Sequence, residues 1–366
     1  MPATQNRSRF ILACGKIALC FLCFGPINST VHAQDAKPVV IESEVEAVDF
    51  QRSKEVNEFI DYMVTRHGFA RVELEQIFSQ VKFSDKAIQL IKPAPITKPK
   101  NWQAYRARFI EPRRVKAGVE FWNKYQAELV RAEKLYGVPA QIIVGIIGIE
   151  TIYGKQVGTF RVIDVLSTLG FAYPDTPTRE SRMAYFRGEL EQSLLLARES
   201  GIDPFTLTGS YAGAIGWPQF MPSSIRQYGV DFVGDGKIDL RKSPEDAIGS
   251  VANFLSQHGW VSGQPFAYPA TIVNGNPDAM LAKELNATYT LAQLAEVAQP
   301  SDKVTPPDLL YGLIDLQNGE NPTEYWLATQ NFFAITKYNR SYFYAMSVIE
   351  LGKAVCHVRS LKGTCS

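Results

Sequence analysis

Histidine and cysteine are scarce in this chain, and their scarcity removes whole classes of chemistry. There are four histidines in 366 residues. The three beyond the N-terminal segment, His67, His258 and His357, have no metal-ligand spacing, which argues against a catalytic zinc centre. No Gly-rich phosphate loop and no nucleophile elbow occurs, so phosphoryl transfer and serine-type hydrolysis find no support. Acidic residues are missing from the first 33 positions, which carry Arg7, Arg9 and Lys16 beside the apolar run "FILACGKIALCFLCFG". That pattern predicts a secretory signal over 1–33, cleaved after Val31-His32-Ala33, with the mature chain starting near Gln34. Beyond it, no stretch is long and apolar enough to span a membrane. Excess positive charge is also lacking: without the three leader cations, 35 Lys and Arg face 37 Asp and Glu, a balance that argues against nucleic acid as a partner.

Cys14, Cys20 and Cys23 leave with the signal, so only Cys356 and Cys365 remain, both in "VCHVRSLKGTC". In an oxidising compartment this spacing predicts a short C-terminal disulfide loop.

The body of the chain reads as mainly helical. Residues 34–50 form an acidic, irregular lead-in, and helical patterns follow in "VNEFIDYMVTRHGF" and "RVELEQIFSQV" up to the Pro-rich break "KPAPITKPK". "VKAGVEFWNKYQAELVRAEKLYG" predicts one long helix stopping at Gly137, with Val115, Val119, Trp122 and Leu129 on one face. Pro139 is expected as the first residue of the next helix, "PAQIIVGIIGIETIYG". That helix is apolar nearly all round, hence central, and Gly145 and Gly148 should let another backbone approach. Further helices are expected over 184–199 and 244–259. From about 265 shorter runs punctuated by Pro and Gly, with Asn318-Gly319 as a hairpin signal, suggest a small β-rich unit before a final helix in "SYFYAMSVIELGKAV".

Within the apolar helix stands one carboxylate, Glu150. Burying an unpaired carboxylate costs several kcal/mol, so it either stays protonated or meets a buried Arg. Apolar surroundings and the negative end of a helix dipole both raise a carboxyl pKa. An acid protonated near neutral pH can give its proton to a leaving oxygen, the requirement for breaking a glycosidic bond. From this helix alone the structural and the catalytic readings stay open.

Three segments in order, "IIVGIIGIETIYG", "GSYAGAIGWPQFMPSS" at 209–224 and "DAIGSVANFL" at 246–255, closely resemble the lytic transglycosylase B family of bacterial cell-wall enzymes, over about residues 50–355. The resemblance implies an α+β, mainly α fold. A helical part (51–130, completed by 340–366), a lysozyme-like core (131–264) and a small antiparallel β domain (265–335) would compose it. It implies cleavage of the β-1,4 bond between N-acetylmuramic acid and N-acetylglucosamine with closure of a 1,6-anhydro ring, Glu150 acting first as acid and then as base. No cofactor is needed for that chemistry. The implied setting is a periplasmic monomer, outer-membrane associated or not, acting on peptidoglycan strands and open to complexes with other cell-wall enzymes. Ser210, Gln219, Tyr105, Arg182, Tyr338, Asn339 and Tyr344 match positions that line the family's sugar cleft. Two positions depart. The usual Arg pair is reduced to Arg182, with Arg179 nearby, and Phe254 replaces a Tyr.

"DFVGDGKIDLRK" is similar to a calcium loop, placing Asp231, Asp235, Gly236, the Lys237 carbonyl and Asp239 at the first, fifth, sixth, seventh and ninth places. Val233 and Lys242 fall where ligands are expected, so Glu245 or Asp246 would have to close a structural calcium cage; the competing reading is a plain acidic turn. Two other functions stay in view: a hydrolytic muramidase drawing a second acid from Asp164, Asp175 or Glu180, and a catalytically inactive glycan-binding scaffold.

Overall fold

The computed structural model describes residues 47–93, 99–302 and 304–361. The expected signal segment, the lead-in up to residue 46 and Cys365 of the expected disulfide lie outside them.

Helices dominate. In chain order they are α1 (Lys54–His67), α2 (Arg71–Phe78), α3 (Asp85–Ile91), α4 (Trp102–Ala107), α5 (Pro112–Lys124), α6 (Gln126–Tyr136) and α7 (Ala140–Thr151), then α8 (Val162–Phe171), α9 (Arg179–Glu199), α10 (Pro222–Tyr228) and α11 (Pro244–Gln257). A short α12 (Leu291–Leu294) lies among the strands, and α13 (Gln330–Tyr338) and α14 (Tyr342–Ser360) close the described chain. Strands β1 (Phe160–Arg161) and β2 (Thr208–Gly209) form a small antiparallel pair. The strands β3 (Ala267–Ile272), β4 (Ala298–Pro300), β5 (Gly312–Asn318) and β6 (Asn321–Ala328) make an antiparallel sheet of order β4-β3-β6-β5. Asn318 pairs with Asn321 across the β5–β6 turn, where Gly319 takes φ 64°, as the Asn-Gly signal requires. Leu294, Ala298, Tyr311, Leu313 and Leu327 form a small core of their own beneath the sheet. The main core runs from Phe50 to Val355.

The expected central helix is α7. Every residue in it is buried except Gln141 and Glu150. α14 lies against it at backbone contact: a Cβ on Gly145 would stand 2.3 Å from the Val348 carbonyl oxygen, and one on Gly352 would stand 2.2 Å from that of Gln141. Gly148 differs from expectation. It makes room for side chains, those of Tyr153 and Leu351, and not for backbone.

Three sequence expectations need correction. The single long helix ending at Gly137 is two, α5 and α6, parted at Tyr125 (φ −113°, ψ 32°), whose buried ring packs 5.0 Å from that of Phe121. The amphipathic phase continues across the break, so periodicity does not reveal it. Pro139 is the N-cap of α7 and not its first helical residue. The same helix stops at Thr151, before Gly154, because Ile152 and Tyr153 take positive φ of 51° and 54°. Among the described residues no single helix is long and apolar enough to cross a membrane.

Candidate active site

Glu150 sits in the last turn of α7, half-buried, at the one position of that turn where the helix opens onto a cleft. Burial pushes its carboxyl pKa up to about 7, and a hydrogen bond from Tyr344, which favours the ionised form, opposes part of that rise. The bond is direct: Tyr344 Oη donates to Glu150 Oε1 at 2.6 Å. Tyr344 belongs to the first turn of α14, so the close α7–α14 packing is what delivers the phenol to the carboxyl. Its ring stacks on that of Tyr338, 6.3 Å between centroids and 15° between planes, and Tyr338 Oη donates to the Pro218 carbonyl. Among the described residues no buried Arg meets Glu150, and burial favours its neutral form.

The Pro218 loop forms the opposite wall. Ser210 Oγ accepts from the backbone of Ala212 at 3.3 Å and Ala214 at 3.0 Å, and Ile215 bridges both Gly209 and Phe220. These bonds fold 209–220 into a tight double turn. The turn presents Gln219 at φ 50°, an uncommon conformation for a residue with a Cβ. Gln219 Nε2 donates to Gly216 O at 2.9 Å and Val157 O at 3.2 Å, fixing the amide plane. Thr151 Oγ1 ties the end of α7 to this loop by donating to Trp217 O at 2.9 Å. Glu150 and Gln219 are therefore held on one rigid frame, with backbone strain on both sides of the cleft.

The cleft encloses ≈ 230 Å³ and is lined by Glu150, Gln219, Tyr338 and Asn339, by the apolar rings of Phe220 and Phe254, and by Tyr185, Met221 and Ser224. Two cations, Lys337 and Arg340, complete the lining. Asn339 Oδ1 is buried without a hydrogen-bond partner among the described residues. Glu150 is the sole carboxylate among the described lining residues.

Not every expected residue joins this group. Tyr105 packs its ring 5.5 Å from that of Phe343 and is not among the described residues lining the cleft. Ser210 shapes the loop and does not line the cleft. Arg182 is buried in α9 with its guanidinium over three rings, at 5.0 Å from Phe186 and 5.5 Å from both Tyr173 and Tyr185. Arg179 is spent on the Tyr173 carbonyl at 3.0 Å and on Glu180 at 3.0 Å. The three acids weighed for a hydrolytic mechanism are elsewhere. Asp164 is paired with Arg161 at 2.7 Å and accepts from the Lys82 backbone at 3.0 Å, Glu180 is exposed, and Asp175 is exposed on the preceding loop.

The carboxylates of the acidic loop are engaged by backbone N–H groups in this structure. Asp246, the expected closing ligand, uses both carboxylate oxygens on backbone N–H groups, Phe232 at 2.8 Å, Val233 at 3.2 Å and Asp239 at 3.0 Å. Asp239 in turn accepts from the Arg241 and Lys242 backbones at 3.0 and 3.3 Å, with the Arg241 guanidinium at 3.5 Å. Asp231 accepts from Gly234, Asp235 and Gly236, and Asp235 from Lys237. Among the described residues no three carboxylate, imidazole or thiol groups converge as a metal site. The donor set resembles a self-bonded acidic turn, with apolar Val233 and cationic Lys242 at ligand places. Cys356 lies half-buried in α14.

The transglycosylase SLT domain model matches residues 51–353. The chain belongs to that family. It is 44% identical over 319 residues to the membrane-bound lytic murein transglycosylase B of Escherichia coli K12, an alignment covering 85% of each chain. The soluble lytic transglycosylase SltB1 of Pseudomonas aeruginosa has a similar structure, with TM-score 0.76 and 44% identity over 84% of this chain and 99% of that one. The E. coli lytic transglycosylase Slt35, solved in complex with calcium, gives TM-score 0.74 and 43% identity over 86% of this chain and 96% of that one. The mainly helical architecture with small antiparallel sheets is thus that of lytic transglycosylases with a lysozyme-like fold.

Within this family fold, sequence reasoning passed over three groups near the site. Lys337 and Arg340 flank Tyr338 and Asn339 in "KYNRSYFY" but carry no period or motif that marks them as cleft residues. Glu189 of α9 is buried, and its pKa is raised by that burial. It accepts from Ser223 N at 3.0 Å and Ser223 Oγ at 2.7 Å, which pins α10, the helix carrying Ser224, to the cleft wall. Its sequence signal, an acid on the apolar side of an amphipathic helix, was available in "FRGELEQSLLLA".

Proposed function

We propose that the protein is a peptidoglycan lytic transglycosylase with Glu150 as its single acid and base. The observation that carries this reading is the lone cleft carboxylate with a pKa of about 7, bonded to a buried tyrosine, while every acid weighed for activating water is engaged or exposed elsewhere. Below that pKa Glu150 is mostly protonated. It donates its proton to the glycosidic oxygen as the bond to the muramic acid C1 breaks, and the N-acetylglucosamine end leaves as an alcohol. The muramic acid C6 hydroxyl then attacks C1, and its proton passes to the Glu150 carboxylate, restoring the acid. No water is consumed, which is why one carboxylate suffices where a hydrolase uses two. Tyr344 steadies the carboxylate between the two proton transfers. Gln219 and Asn339 supply a fixed amide and an unpaired carbonyl for the sugar's hydroxyl and acetamido groups, and the rings of Tyr338 and Phe254 offer flat apolar faces to it.

The setting is the periplasm, reached through a cleaved signal, with glycan strands as the substrate and the monomer as the working unit. Digestion of purified peptidoglycan by residues 34–366 tests the reading. Muramic acid ends identified by mass spectrometry should be anhydro, and Glu150→Gln should slow their release about 10²- to 10⁴-fold. Reducing ends would instead establish a muramidase, and intact glycan a binding scaffold.

A further inference from the structure

Lys337 and Arg340 put two positive charges in a cleft whose only described carboxylate is near half-titration at neutral pH. Arg340 has neither an ion pair nor a hydrogen bond among the described residues, although it is half-buried. A guanidinium held in a cavity without an acceptor is a ready partner for a planar anion, because two parallel N–H groups match a carboxylate's two oxygens. The arginines that would otherwise be the choice are committed: Arg182 to three aromatic faces and Arg179 to Tyr173 O and Glu180. Asn339, between them in the chain, lines the same stretch of wall, and its Oδ1 has no hydrogen-bond partner among the described residues. We infer that Arg340, assisted by Lys337, forms a carboxylate subsite that binds the acidic substituent of the substrate's muramic acid residue beside Glu150. The inference rests on the proposed function for the identity of the substrate.

The carboxylate has two sources, the lactyl group of a strand without peptides or the stem peptide of a substituted one. Calorimetric binding to the Glu150→Gln protein separates them without turnover. The first probe is N-acetylglucosaminyl-N-acetylmuramic acid, with its methyl ester as the uncharged control. The second is the same disaccharide carrying L-Ala-D-Glu, with its fully esterified form as control. For at least one pair the free acid should bind about tenfold more tightly than the ester, the size expected of one charge-assisted pair. Adding Arg340→Gln should bring the two within about twofold while leaving the melting temperature unchanged, and Arg340→Lys should keep part of the preference. Preference in the first pair assigns the lactyl group, and in the second pair alone the stem. Equal affinity of acid and ester in both pairs, preference that survives Arg340→Gln, or no measurable binding of any probe would each overturn the subsite. Digestion by the wild-type protein reports separately on the wider reading, since anhydro ends released alongside any of those results would leave transglycosylation standing.

Discussion

At the scale of single residues, the chemistry rests on one proton. Glu150 is legible in sequence because a lone acid in an apolar run has few explanations, but its partner is not. Tyr344 lies 194 positions away and becomes its neighbour only through the packing of two helices. The raised pKa has a direct kinetic consequence. The acid form is the one that starts the reaction, so kcat/KM should fall as pH rises through about 7. Tyr344→Phe removes the hydrogen bond that favours the ionised form, so the descending limb should move to higher pH. A pH profile of glycan cleavage for both proteins checks it, and an unmoved limb would show that the phenol does not tune the acid. Lys337 and Arg340 show the other limit of sequence reading: cations around a helix end look like any solvated surface until the opposite wall is known.

At the scale of elements, α7 and α14 are the frame. The apolar character of α7 predicts its central place, and Gly145 predicts a close neighbour, but which element comes close is a property of the tertiary fold. Gly145→Ala would drive a methyl group into the Val348 carbonyl. Overpacking of this kind costs about 1–3 kcal/mol, which outweighs the roughly 1 kcal/mol that alanine gains over glycine in a helix. Urea unfolding should show a net loss of stability, and glycan cleavage should fall with it as Tyr344 shifts from Glu150. Equal stability of mutant and wild type would mean that α14 sits farther from α7 than described. The positive φ of Ile152, Tyr153 and Gln219 was illegible for a different reason: each is a local cost imposed by packing, against the preference of the residue that bears it.

For the whole molecule, helical content, the small sheet and its Asn-Gly hairpin follow from periodicity and turn chemistry, whereas the relation of the acidic loop to metal does not. Spacing alone makes 231–246 look like a calcium loop, yet its carboxylates close on backbone N–H groups and on Arg241. The melting temperature should therefore be the same in millimolar calcium and in chelator. A saturable rise with calcium would show that Asp246 turns outward to take a cation. The central claim, however, concerns water. Digesting peptidoglycan in ¹⁸O-labelled water and weighing the muramic acid ends by mass spectrometry asks whether the broken bond is closed from within the sugar or from solvent. Unlabelled anhydro ends are the predicted result, since the C6 hydroxyl, and not water, closes on C1 and gives its proton to Glu150; reducing ends carrying ¹⁸O at C1 would contradict it.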